Sequence, residues 1–149
     1  MALRFVVTSS ARPPATELLD ALHEEYDAAA GRALAGGPSA APADFAPPGG
    51  TFLVAYEHDR AVACGGLKTI GTGVAELKRM YVVPDARRRG VGRALLAALE
   101  DAARSMGFGT VRLDCERHNW PLYRAAGYVE IEDYNDNPFA DHWAEKPLR

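Results

Sequence analysis

The pattern with the plainest chemistry is Arg87-Arg88-Arg89-Gly90-Val91-Gly92-Arg93. It follows the apolar run Met80-Tyr81-Val82-Val83 through a Pro84-Asp85 turn and leads directly into an Ala/Leu-rich segment. Two glycines let a backbone turn sharply and approach a ligand closely. The first N–H groups of a helix starting here have no acceptor within the helix and carry a partial positive charge. Strand end, glycine loop and helix start together make a place for an anion, and the arginines add positive potential. Spacing excludes two nucleotide-binding motifs. No Gly-Lys-Ser/Thr follows as a Walker loop requires, and Leu95 stands where G-x-G-x-x-G needs its third glycine. What remains is Arg87-x-x-Gly90-x-Gly92 at a strand-to-helix junction.

A chain of 149 residues fits one domain, 1–149, with a single core. Its 48% apolar and 25% charged content is that of a soluble globular protein. The net charge of −3 makes the arginines a local cluster and argues against a nucleic-acid partner. Cys64 and Cys115 lie in apolar runs and read as buried thiols of a reducing compartment. No Cys/His spacing suggests zinc, so no metal is expected. The N-terminal stretch lacks the apolar region of a signal peptide, and no run approaches a membrane span. The expectation is a cytoplasmic protein with no membrane partner.

These elements must position the loop. Leu3–Thr8 reads as a strand and Ala15–Tyr26 as an amphipathic helix stopping near Gly31. Residues 35–50, rich in Gly, Pro and Ala, read as a long loop with room for a short helical turn. Thr51–Tyr56, Ala61–Leu67 and Val74–Val83 form an antiparallel meander, with Gly65-Gly66 marking a bulge. The helix after the loop carries Val91, Leu95, Ala98, Leu99, Ala102 and Met106 on one stripe, with Arg93, Glu100, Asp101 and Arg104 off it. Val111–Cys115 follows as a strand, and strand–helix–strand at this spacing predicts a parallel pair. Asn119–Ala126 is a short helix, and Tyr128–Ile131 and Phe139–Lys146 are strands around an acidic loop. The fold class is α/β (α+β): a mixed, mostly antiparallel sheet of six or seven strands flanked by helices, with a parallel βαβ unit beside the glycine loop.

At the residues Arg87-x-x-Gly90-x-Gly92 and Leu122-Tyr123-x-x-x-Gly127-Tyr128, within a frame spanning most of the chain, the sequence resembles the GNAT superfamily of N-acetyltransferases, which use acetyl-CoA. The resemblance implies that backbone N–H groups of Arg87, Arg88, Arg89, Gly90, Val91, Gly92 and Arg93 cradle the CoA pyrophosphate. It implies that Met80, Tyr81 and Val82 offer backbone groups to the pantetheine arm, whose amides can pair with an open strand edge.

Acetyl transfer to an amine needs a base to neutralise the amine and an acid for the departing thiolate. By resemblance, Glu76 on the strand before the loop is the first candidate base and Asp114 on the following strand the second. Either also reads as an ion-paired strand carboxylate, with Lys78, Arg79 and Arg112 close in sequence. Tyr123 matches the family's acid, and a backbone N–H near Val82 would polarise the thioester carbonyl. Asn119 resembles a cofactor-contacting Asn, but Tyr123 follows it by only four residues, about one helical turn less than the family spacing. Glu132, Asp133, Asp136 and Asp141 around Tyr134, Asn135, Phe139 and Trp143 read either as a solvated acidic loop over core aromatics or as a pocket attracting a cationic amine. None of the four histidines has a motif partner.

The function so implied is direct acetyl transfer from acetyl-CoA to a primary amine of a small molecule in a ternary complex. The alternatives are a protein N-terminus or lysine as acceptor, and a non-catalytic acyl-CoA-binding module. The family's habit of pairing makes a homodimer one expectation about assembly.

Overall fold

The computed structural model describes residues 2–30 and 40–149. Seven strands form one mixed sheet in the order β1-β2-β3-β4-β5-β7-β6. They are β1 (Leu3–Val7), β2 (Gly50–Glu57), β3 (Arg60–Gly71), β4 (Val74–Val82), β5 (Thr110–Cys115), β6 (Val129–Glu130) and β7 (His142–Pro147). Three helices flank it: α1 (Ala15–Ala30), α2 (Val91–Ser105) and α3 (Trp120–Ala125). The expected stop of α1 near Gly31 and the first part of the 35–50 loop lie outside the described residues. The described end of that loop contains a 3₁₀ turn at Pro42–Phe45.

The antiparallel meander β2-β3-β4 and the parallel pairing of β4 with β5 are as the sequence predicts. Alternation along the strands feeds two apolar layers. On one face Leu53, Leu67, Leu77, Val111 and Leu113 pack against Leu95, Leu96 and Leu99 of α2. On the other, Phe52, Val54 and Tyr81 pack against Leu18 and Leu22 of α1 and against Phe45. Each large aliphatic side chain removed from water in these layers contributes about 1.5–3 kcal/mol.

Two expectations need correction. The bulge near Gly65-Gly66 is present, but its extra residue lies on β4. Cys64 pairs with Tyr81 and Gly66 with Lys78, so Arg79 and Met80 together oppose Gly65. Arg79 takes up the distortion with a left-handed φ of 64°. A Cβ on Gly65 would lie 2.8 Å from Met80 Sδ, so the glycine admits the side chain that the bulge turns over it. Glu100, read as lying off the α2 stripe, is buried at 6% exposure. Ala98, Ala102 and Met106 are only partly buried, at the margin of the packed face. Glu100 tolerates burial because Tyr128 and Lys146 both donate to its carboxylate, each at 2.9 Å.

The feature that matters for a site is how β4 and β5 part. They pair only from Val74↔Thr110 to Glu76↔Arg112. Beyond that, β4 stays with β3 as far as Ala63↔Val82, and β5 stays with β7 as far as Cys115↔His142. Each strand keeps its outer partner and loses its inner one, which opens a wedge lined by backbone.

Gly66 sits under two aromatic rings that meet edge to face, Phe45 and Phe52, with centroids 5.6 Å apart. A Cβ there would lie 2.6 Å from Phe45 Cδ1 and 2.8 Å from Phe52 Cδ2. Gly66→Ala is expected to cost about 1–3 kcal/mol of stability by overpacking, measured by urea denaturation; an unchanged midpoint would show that the rings can yield.

Candidate active site

A cleft of about 330 Å³ occupies the wedge between β4 and β5. Met80, Tyr81 and Val82 line it from β4, and Glu116, His118 and Asn119 from the turn after β5. Leu22, Glu25 and Tyr26 of α1, Leu122 and Tyr123 of α3, and Arg87 and Gly92 at the start of α2 complete it. The sequence-predicted residues Met80, Tyr81, Val82, Arg87, Gly92, Asn119 and Tyr123 are thus brought together. Glu76 and Asp114 do not line this cleft.

Before α2 the glycine loop presents a row of backbone donors. The first bond within α2 runs from Ala94 N to the Gly90 carbonyl (3.0 Å), so Val91, Gly92 and Arg93 have no helical acceptor. Among the described residues, Arg88, Arg89 and Gly90 donate to no backbone carbonyl either. The turn needs left-handed conformations at Arg88 (φ 64°) and Gly90 (φ 83°). Gly92 serves differently. A Cβ there would meet only Val82 and Leu122, at ordinary contact distances of 3.6 and 3.7 Å, so glycine is not required by packing within the chain. Its lack of a side chain leaves room on the cleft side.

The arginines differ from the expectation of a bare positive cluster. Arg87 Nη2 donates to both oxygens of Glu25 at 2.7 Å, and Arg89 forms a two-pronged pair with Glu57 at 3.0 Å. Burial alone would raise the Glu25 carboxyl, but hydrogen bonds from Arg87 and Tyr81 outweigh it and hold it low. The same contacts act on Tyr81, whose phenol is pushed up to about 12 by burial and then by Glu25. Arg93 reaches the Ala125 carbonyl at 3.5 Å, and Arg88 pairs with no described carboxylate. The positive character of the loop therefore rests mainly on backbone N–H groups and the start of α2, with Arg87 and Arg89 acting as struts to α1 and β2.

Arg87 also sorts the backbone of β4. Its Nε donates to the Val82 carbonyl at 2.8 Å. Val83 N donates to Val62 O across the β3 ladder. Successive residues of an antiparallel strand alternate between their two edges, so the Val82 groups face the wedge, and one of them is already taken.

From α3 the cleft is lined by Tyr123, buried at 6% exposure. Burial first, then Cys115, Tyr26 and Asp114, raise its phenol above the ordinary range, so it is protonated at neutral pH. Asn119 and Tyr123 are four residues apart, which places them on one side of the short helical segment, and both line the cleft. The shortened spacing noted in the sequence thus still delivers both residues to one place.

Glu76 and Asp114 form a separate polar group on the α1 side of the sheet. Tyr134 Oη donates to Glu76 Oε2 at 2.6 Å, and Lys78 Nζ lies 3.4 Å from Oε1. Asn135 Nδ2 donates to both carboxylates, at 3.3 Å to Glu76 Oε2 and 2.5 Å to Asp114 Oδ2. Asn137 adds a second donor to Asp114 at 3.2 Å, and Trp143 Nε1 holds the Asn135 oxygen at 2.8 Å. The acidic loop has local duties: Asp133 accepts from Asn135 N and Asp136 N, and Asp141 accepts from Arg117 N. Sequence reasoning missed Glu25, and it read Tyr134 and Asn135 as part of an acidic loop or acceptor pocket without their bonds to Glu76 and Asp114. Glu25 could have been found by its place between Leu22 and Tyr26 on one helix face; Tyr134 and Asn135 carried no comparable periodic signal.

The model of the Acetyltransferase (GNAT) family matches residues 15–128. An IAA acetyltransferase of Azospirillum brasilense is 36% identical over 105 residues, 65% of this chain and 67% of that protein. An uncharacterised N-acetyltransferase of Schizosaccharomyces pombe is 32% identical over 99 residues, 63% of this chain and only 61% of its own length. Among solved structures, an aminoglycoside 6′-N-acetyltransferase complexed with coenzyme A aligns over 98% of this chain and 97% of its own, with a TM-score of 0.74 at 17% identity.

The tyrosines of this region give a pH prediction. Tyr26 and Tyr81 are raised to about 12, by burial first in both, and Tyr123, Tyr128 and Tyr134 are raised as well. Unfolded phenols release their protons near pH 10 while these folded ones keep them, so the native state binds more protons and stability falls as pH rises. The urea midpoint should drop between pH 10 and 12, with phenolate absorbance at 295 nm appearing in step with loss of circular dichroism. Ionisation of most phenols well before unfolding would contradict it.

Proposed function

Because this chain belongs to the GNAT acetyltransferase family, we propose that it moves an acetyl group from acetyl-CoA to a primary amine of a small molecule, by direct transfer with both substrates bound. The observation that carries this reading is the cleft itself: a row of free backbone N–H groups before α2, a protonated tyrosine on α3, and an open β4 edge. The relative named as an IAA acetyltransferase supports a small-molecule acceptor.

The fit to CoA can be argued from the chain. Backbone N–H groups from Arg88 to Arg93 would hold the pyrophosphate, and the side-chain-free surface of Gly92 leaves space for it. Met80 and Val82 lie on the open edge, where a pantetheine amide would find strand-like partners. With Arg87 occupying the Val82 carbonyl, the Val82 N–H is the group left to polarise an acyl oxygen. Acetyl-CoA supplies the activated thioester. Tyr123, kept protonated by its buried setting, would donate to the departing sulfur.

For the base, Glu76 and Asp114 are better treated as one group than as rivals. Both accept from the same Asn135 amide, so moving that side chain would disturb both carboxylates together. Neither lines the cleft, so the acceptor proton would reach them through water.

Tyr123→Phe should lower kcat about 10²-fold with the fold intact, read as CoA thiol release against a panel of amines; unchanged turnover would remove Tyr123 as the acid. Gly92→Ala should raise KM for acetyl-CoA about tenfold while shifting Tm by no more than a few degrees, because the new Cβ meets Val82 and Leu122 only at ordinary contact distances but fills the cradle. An unaltered KM would place the phosphates elsewhere.

A further inference from the structure

Outside the cleft and apart from the Glu76–Asp114 group, a second buried polar cluster joins Glu100, Lys146 and Tyr128. Glu100 projects from α2 among Leu96, Leu99 and Ala103, which are buried with it. Lys146 comes from β7, with Nζ 2.9 Å from Glu100 Oε1. Tyr128 Oη donates to the other oxygen, Oε2, at 2.9 Å. Every polar end of the trio is thus matched, and three elements distant in sequence meet at one carboxylate. Replacing such a buried ion pair with apolar side chains of similar volume often leaves a protein equally stable or more so. Stability alone therefore does not account for it.

What Tyr128 touches suggests its use. Helix α3 ends in a Schellman motif: Gly127 takes φ 100°, Tyr128 N donates to Tyr123 O (3.1 Å), and Gly127 N donates to Arg124 O (3.1 Å). Such a motif commonly carries a side-chain contact between the residues that close it. Here that contact joins the Tyr123 and Tyr128 rings, with centroids 5.9 Å apart and planes at 76°. Tyr123 is thereby held by Tyr128 through backbone and ring, and Tyr128 is held by a carboxylate on α2. The same helix begins with the glycine cradle. The anchor would set the distance between Tyr123 and the cradle.

We propose that Glu100, Lys146 and Tyr128 form a positioning set that fixes the Tyr123 hydroxyl relative to the start of α2. This rests on the reading of Tyr123 as the acid. A phenylalanine at position 128 would keep the ring contact and the Schellman bonds but lose the tether to α2. The error it allows falls on the acid rather than on cofactor binding.

The test is a double-mutant cycle. Tyr128→Phe should lower kcat about tenfold and leave KM for acetyl-CoA within about twofold, since misplacing a catalytic group acts on the chemical step. In a Tyr123→Phe background the same change should have less than about a twofold effect. Glu100→Gln, which keeps an acceptor for Tyr128 but loses the charge facing Lys146, should give a smaller loss of kcat with the same dependence on Tyr123. With 3-fluorotyrosine incorporated, the ¹⁹F resonance of position 123, assigned by its absence in Tyr123→Phe, should broaden or shift in Tyr128→Phe. Equal losses in both backgrounds, or a change in KM in place of kcat, would reduce the trio to a packing element. If Tyr128→Phe does not fold, the cycle run with Glu100→Gln decides on the same criterion. A slow Tyr123→Phe beside a normal Tyr128→Phe overturns this inference alone, whereas a fully active Tyr123→Phe overturns the acid reading and this one with it.

Discussion

The separation of β4 from β5 is the constraint on which the rest of the structure depends. A strand inside a sheet normally satisfies backbone groups on both edges. Here β4 stays with β3 along its length apart from the bulge at Arg79 and Met80, and β5 stays with β7, while the two share only three register positions. The bulge at Arg79 and Met80 follows within a few residues of the last shared pair, and a bulge bends the strand that carries it. The result is backbone without a strand partner at the mouth of a cleft, where Arg87 satisfies the Val82 carbonyl and the rest is open to water or a ligand.

Around that opening the charges are arranged as supports. Arg87 ties the loop to Glu25 on α1 and to the Val82 carbonyl on β4, and Arg89 ties it to Glu57 on β2. Exposed ion pairs of this kind add little stability each, but together they attach one turn to three elements. The turn can then hold left-handed conformations at Arg88 and Gly90. On the far side, Asn135 does the comparable work with a neutral group: one amide, held by Trp143, donates to two carboxylates that would otherwise repel.

Local patterns explain how much could be read beforehand. Alternation located the strands of the meander, and the glycine loop with its following helix was legible because turn chemistry and helix periodicity are local. The parallel pair followed from the strand–helix–strand spacing. The misreadings concern partners far away in sequence. Glu100 looked solvent-facing because nothing near it reveals Tyr128 and Lys146, and the arginines looked free because Glu25 and Glu57 lie 62 and 32 residues from them. The bulge was placed on the strand bearing the glycines, although Gly65 makes room for a distortion carried by Met80 on its neighbour.

By itself, then, the amino-acid sequence determined the element order, the glycine turn at Arg87–Arg93 leading into a helix, and the family resemblance carried by Arg87, Gly90, Gly92 and Tyr123. Each of these is a property of neighbouring residues along the chain. Only the tertiary structure decided which charges are spent on holding the loop, that Glu76 and Asp114 share one donor, and that Tyr123 is tied through Tyr128 to the helix of the cradle. Those are relations between elements. They depend on where β4 and β5 part, and the place of that parting is set by pairing with β3 and β7 across the sheet.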